Sequence, residues 1–141
     1  MQNPFEGLGM KIKEILFLSP AEAYEAEKKG AVIVDIREEY DNNYKMYDVD
    51  NLIYSSFFGF ADRLETLPSG GYLIIADSTG NKSKEIVRFL HEKGFDKVAV
   101  LNGGIHNWER KGLPLKKDKS MQLSGSCLCT MKTKGKRNLK R

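Results

Sequence analysis

The chain has 141 residues, 40% of them hydrophobic and 30% charged, which suits a single soluble domain with a core of its own. No run approaches the ~18 consecutive apolar residues that a membrane span needs. The longest early apolar stretch, Ile15–Leu18, follows Glu14 and is too short for the apolar segment of a secretory signal, so a cytoplasmic protein is expected.

Charge is unevenly spread. Residues 116–141 hold nine Lys or Arg and one Asp, a net of +8; the whole chain carries +4, so residues 1–115 carry −4. The organisation expected is an N-terminal extension over 1–10, a folded domain over 11–115 and a basic, flexible tail over 116–141. Both cysteines, Cys127 and Cys129, fall in that tail. The body needs no disulfide framework and has no thiol chemistry of its own.

In chain order, Lys11 to Leu18 reads as a first strand. Ser19-Pro20-Ala21-Glu22 is a helix start, with Ser19 as N-cap, Pro20 at the first helical position and Glu22 three residues after the cap. That helix stops at Gly30. AVIVDI (31–36) reads as a strand buried on both faces. REEYDNNY (37–44) is expected to be a short helix, NLIYSS (51–56) a short strand and FADRLETL (60–67) helical. YLIIAD (72–77) is a second buried strand, and NKSKEIVRFLHEKG (81–94) is a helix with Ile86, Val87 and Leu90 on one face and Gly94 as its stop. KVAVLN (97–102) is a third buried strand, and GGIHNWERKG (103–112) closes the domain as a short helix.

Strands alternating with helices imply an α/β fold with a mostly parallel central sheet flanked by helices. In such sheets ligands collect at the carboxyl ends of the strands. Here those ends carry Asp35, Asp77 and Asn102. The loop after Asp77, Ser78-Thr79-Gly80-Asn81-Lys82-Ser83, runs from a strand into a helix and has the build of an anion-holding loop.

VIVDIREEY, IIADSTGNKS and VLNGGIHNWERKGLP together resemble the rhodanese-like domain, over roughly residues 12–115. Asp35-Ile36-Arg37 is similar to the family's D-x-R. Leu101 to Pro114 is similar to its L-x-G-G-x-x-x-W-x-x-x-G-x-P ending, with Gly103, Gly104, Trp108 and Gly112 in place. The family's active loop, C-x-x-G-x-R-S, falls on Asp77 to Ser83: Gly80 and Ser83 match, Lys82 stands for the arginine and Asp77 for the cysteine.

The resemblance implies sulfur metabolism, with a sulfur donor, an acceptor protein or a small anion as partner and no resident cofactor or metal. It also implies that ordinary thiosulfate sulfur transfer is lost at the loop, because that chemistry needs a polarisable thiolate and a carboxylate forms no persulfide. A degenerate, regulatory binding module is the reading that follows.

Other readings stay open. Asp77 suits a cap for the following helix, or an anion filling the loop from within. As a phosphoryl acceptor it lacks the D-x-D pair that such Mg²⁺-using sites bring, and an oxyanion- or phosphate-binding loop is the weaker alternative. Asp35 and Arg37 read as a structural ion pair, Gly103-Gly104 as a tight turn and Trp108 as a core anchor. His106 reads as a surface or packing residue, and His91 suits the end of its helix. Lys82 and Lys84 are either anion ligands at the loop or solvated helix residues.

Cys127 and Cys129 sit near Lys132, Lys134, Lys136 and Arg137, whose charge favours thiolate, so a persulfide carried on the tail is an alternative to the loop. A closed zinc site there needs two more ligands. The basic tail attracts phosphate, but no aromatic residue follows Trp108 to stack a base, and nucleic acid is not expected as a partner.

Overall fold

The computed structural model describes residues 3–38 and 45–117. The chain divides into two compact units. In the larger, residues up to 38 and 49–114 build a six-stranded sheet: β1 (Met10–Ile12), β2 (Ile15–Leu18), β3 (Val32–Asp35), β5 (Leu52–Tyr54), β6 (Leu73–Ala76) and β7 (Val98–Leu101). The spatial order is β1-β2-β7-β6-β3-β5, with β1 antiparallel to β2 and every other pairing parallel. In the smaller unit, β4 (Lys45–Tyr47) and β8 (Leu115–Lys117) pair antiparallel in the register Lys45–Lys117, Met46–Lys116 and Tyr47–Leu115.

The central strands β6 and β7 are buried at every position, as their unbroken apolar runs require. Their alternate side chains serve opposite faces. Leu73 and Ile75 of β6 and Val98 and Val100 of β7 join Ile86, Val87 and Leu90 of helix α2 (Asn81–Glu92) in one cluster. Helix α1 (Pro20–Lys28) meets helix α3 (Gly104–Arg110), where Tyr24 and Trp108 pack edge to face at 5.8 Å. Trp108 is fully buried, and its indole N–H donates to the Pro114 carbonyl at 2.8 Å. The Leu113 N–H donates to the Trp108 carbonyl, and Gly112 turns the chain with φ +75°. The spacing of Trp, Gly and Pro in the terminal motif therefore encodes one locked corner, worth about 3–5 kcal/mol if the indole is removed.

Two expectations change. The single strand over Lys11–Leu18 is a hairpin, because Lys13 and Glu14 both take positive φ (49° and 71°) and fold β1 back onto β2. The helix expected at FADRLETL is a 3-10 segment, Phe60–Thr66, interrupted at Arg63 (φ −118°, ψ 21°). Most of the short helix expected over 37–44 lies outside the described residues.

Ser19 caps α1 as expected, in a complete capping box. The Glu22 carboxylate accepts from the Ser19 N–H (2.9 Å) and also from the Gly9 N–H (3.0 Å), pinning the chain before β1 to the helix start. The Gly9 and then the Ser19 N–H lower the Glu22 pKa below the ordinary 4.5, against partial burial, which raises it. A carboxyl depressed in the folded state stabilises the fold above its unfolded pKa and loses that contribution as pH falls through its folded pKa. Glu22→Gln is therefore expected to lower the melting temperature at neutral pH, with the gap to wild type closing as pH falls below 4.5. Thermal unfolding against pH checks this; a gap of constant size across the range would contradict it.

Candidate active loop

Strand β6 ends at Ala76, and the chain turns through Asp77–Gly80 into α2. Gly80 makes the turn with φ 101°, and as the formal N-cap it offers no side chain. Asp77 supplies the missing acceptor from three residues upstream. One carboxylate oxygen accepts from the Gly80 N–H; the other accepts from Lys82 (2.9 Å) and Ser83 (3.3 Å). Three backbone donors at a helix start thus converge on one carboxylate that is only 4% exposed. A helix N-terminus favours negative charge through its free N–H groups and its dipole. The sequence-based reading of Asp77 as a helix cap, or as an anion held from within, corresponds to this geometry. The Ser83 hydroxyl is fully buried and makes no hydrogen bond.

The loop is clamped from the next strand end. Gly103 and Gly104, with φ +81° and +61°, turn β7 into α3. The Ile105 N–H donates to the Asp77 carbonyl at 2.8 Å, and the His106 N–H to the Ser78 carbonyl at 3.3 Å. A Cβ on Gly104 would overlap the Asp77 and Ser78 backbone, and one on Gly80 would crowd the Gly103 nitrogen at 3.2 Å. The double glycine is thus a close backbone approach between two loops as well as a tight turn.

The third strand end, after β3, is fixed by the Asp35–Arg37 pair. Arg37 Nη2 reaches Asp35 Oδ2 at 2.8 Å and Nε reaches Oδ1 at 3.0 Å, with both side chains almost wholly buried. The Arg37 N–H adds a bond to Oδ1 at 3.1 Å. This is the structural ion pair expected. It holds the turn whose Ile36 N–H donates to the Ala76 carbonyl (2.9 Å), just before Asp77, and whose Ile36 carbonyl accepts from Phe57 (2.9 Å). Tyr54, across from Asp35 in the sheet, has its phenol pKa pushed up by burial and then by the Asp35 charge, with Arg37 opposing.

Lys82 places its ammonium over the rings of Phe57 (5.2 Å) and Phe58 (5.3 Å). Lys84 donates its backbone N–H to the Gly80 carbonyl (3.3 Å), and in the turn between Asp77 and Gly80 Ser78 is half-buried and Thr79 exposed. His91 lies in the last turn of α2, and the His106 side chain is exposed. Cys127 and Cys129 lie outside the described residues. Among the described residues no three His, Cys, Asp or Glu side chains cluster as metal ligands. The Ser55–Gly59 turn beside the loop went unnoticed in the sequence; its signal is the Phe-Phe-Gly that follows a short strand.

A family description, the rhodanese-like domain, matches residues 19–111. The chain belongs to the rhodanese-like domain family. Among similar proteins, the thiosulfate sulfurtransferase GlpE of Actinobacillus pleuropneumoniae is 33% identical over 103 residues, covering 70% of this chain and 90% of that protein. GlpE of Haemophilus influenzae is 29% identical over 110 residues, 75% of this chain and 96% of its own length. A rhodanese-related protein from Thermoplasma volcanium superposes with a TM-score of 0.64 at 23% identity, over 72% of this chain and 97% of that one, a likeness of fold. An NAD-dependent persulfide reductase from A. fulgidus matches at 25% identity and a TM-score of 0.58, over 67% of this chain and 16% of that one. The rhodanese-like α/β architecture thus holds for this domain. No helix among its described residues is long and apolar enough to cross a membrane.

The clamp on the loop of this rhodanese-like domain depends on the absence of a side chain at 104. Gly104→Ala is expected to cost about 2–4 kcal/mol, from overpacking against the loop backbone plus a left-handed φ. Urea unfolding measures it; a loss below about 0.5 kcal/mol, the range of an inert surface change, would contradict the interlock.

Proposed function

We propose that this rhodanese-like domain is a binding or regulatory module of cytoplasmic sulfur metabolism whose loop does not run thiosulfate sulfur transfer. The observation that carries this reading is the Asp77 carboxylate bonded to the Gly80, Lys82 and Ser83 N–H groups. Asp77 stands where the motif of the family has its cysteine. A thiolate there attacks the outer sulfur of thiosulfate, becomes a persulfide and releases sulfite. A carboxylate oxygen is a hard, weak nucleophile towards sulfur and gives no persulfide. The same amides that would steady a persulfide anion are bonded to a resident anion, and an approaching dianion meets negative charge. Both effects point the same way, so lost nucleophilicity and lost donor binding reinforce each other.

A second reading places the sulfur on the tail. Cys127 and Cys129 lie among Lys132, Lys134, Lys136 and Arg137, charge that lowers a thiol pKa and raises the thiolate fraction. In that case the domain presents a partner and the tail carries the persulfide.

Two assays on the full-length chain separate these. Thiosulfate-to-cyanide transfer by the wild type is expected at background, with Asp77→Cys regaining at least about tenfold over it. Intact-mass analysis after thiosulfate or polysulfide, with peptide mapping, is expected to show no adduct on the Asp77 peptide; a gain of ~32 Da on the Cys127–Cys129 peptide assigns the second reading. Wild-type turnover that persists in the Cys127→Ser, Cys129→Ser double variant would overturn both.

A further inference from the structure

Beside the loop, the turn Ser55–Gly59 presents Phe58 to the outside, with the half-buried Phe57 behind it packed against the core. Phe58 is 65% exposed, and Phe57 packs edge to face against it at 5.5 Å. The turn that carries Phe58 is fastened. Arg63 Nη2 donates to the Ser56 carbonyl (2.6 Å) and the Phe58 carbonyl (3.1 Å), and its Nε donates to the Ser55 hydroxyl (3.2 Å). Gly59, at φ +79°, lies against the same guanidinium, where a Cβ would come within 3.0 Å of Nη1. The Phe57 N–H is tied to the Ile36 carbonyl. Arg63 therefore spends its donors on holding the turn that keeps Phe58 at the surface.

Phe57 also lines a groove of about 300 Å³, with Phe60, Ala61, Ile86 and Phe89 as its other apolar residues and Glu85 on its wall. Over the same rings stands Lys82, its ammonium within 5.3 Å of both ring centroids and without a carboxylate partner among the described residues. A fastened aromatic pair beside an apolar slot and a cation is a preorganised anchor site.

We propose that Phe57, Phe58, Lys82 and the groove form a docking surface for a partner protein's extended segment that carries an aliphatic or aromatic residue next to an Asp or Glu. Charge selects this occupant. The chain's own residues 116–141 bring nine cations and one acid, and Lys82 repels them. An acidic residue at Lys82 gains a charge-assisted hydrogen bond beside the rings, while Glu85 keeps acid out of the groove and leaves it to the apolar residue. The surface deepens the binding-module reading above and rests on it.

The test selects a random 12-residue peptide display library against the full-length protein, then measures enriched synthetic peptides by fluorescence polarisation. The expected consensus pairs Leu, Ile, Met or Phe with Asp or Glu within about four residues. Phe58→Ala is expected to weaken binding at least about tenfold without changing the unfolding temperature, since that ring is exposed. Lys82→Glu is expected to weaken it similarly and to be rescued by a peptide whose acid is changed to Lys. Enrichment of basic peptides, binding indifferent to both variants, or no enrichment over the Phe58→Ala, Lys82→Glu double variant would overturn the proposal. So would dimerisation in sedimentation velocity that Phe58→Ala abolishes, which assigns the face to a second copy. None of these outcomes alters the sulfur-transfer assays, so the docking surface and the inactive loop fail separately.

Discussion

Three N–H groups at the start of α2 have no partner within the helix, and the Asp77 carboxylate takes all three. A buried charge is expensive unless it is hydrogen-bonded, and buried amides are expensive unless they have an acceptor. Each half of this arrangement removes the other's cost. The loop shape follows from it: Gly80 must turn left-handed to present its N–H, and the Asp77 and Ser78 carbonyls face the neighbouring turn, where Ile105 and His106 donate to them. The Gly80, Lys82 and Ser83 N–H groups thus find their acceptor within the chain.

The sheet brings these parts together. Pairing β3 and β7 on either side of β6 sets three strand ends side by side, each finished by a different device. After β3 it is a buried Arg–carboxylate fork, after β6 an anion in a nest of amides, and after β7 a double glycine that admits the neighbouring backbone. A buried ion pair adds little net stability on its own, and the Asp35–Arg37 fork is better understood as fixing a turn. That turn holds both the residue before Asp77 and Phe57 through backbone hydrogen bonds. The inactive-loop reading and the docking-surface reading therefore share a scaffold while resting on different side chains.

Much of this was legible in the sequence. The apolar runs of β3, β6 and β7, the Ser19–Glu22 capping box and the motif ending at Pro114 each have a local physical signature, and each folds as that signature predicts. The hairpin at Lys13–Glu14 was hidden because neither residue is a usual left-handed turn former. The 3-10 form of Phe60–Thr66 was hidden because its cause is tertiary: Arg63 turns back to bond the Ser55–Phe58 segment. The same contact makes the Phe57–Phe58 surface, for which Phe-Phe-Gly after a short strand is the local signal. At the loop the sequence displayed Asp77 and the glycines, but which amides the carboxylate takes depends on how Gly103–Gly104 closes over it.

The measurement that bears most directly on the self-filled loop is an amide NMR titration of the isotope-labelled full chain with thiosulfate, beside the same titration of Asp77→Ala. If the carboxylate holds the cradle, the Gly80, Lys82 and Ser83 amide resonances of the wild type stay in place while those of Asp77→Ala shift saturably. Saturable shifts of those three amides in the wild type would contradict the account, because they would mean that the loop accepts an outside anion with Asp77 present.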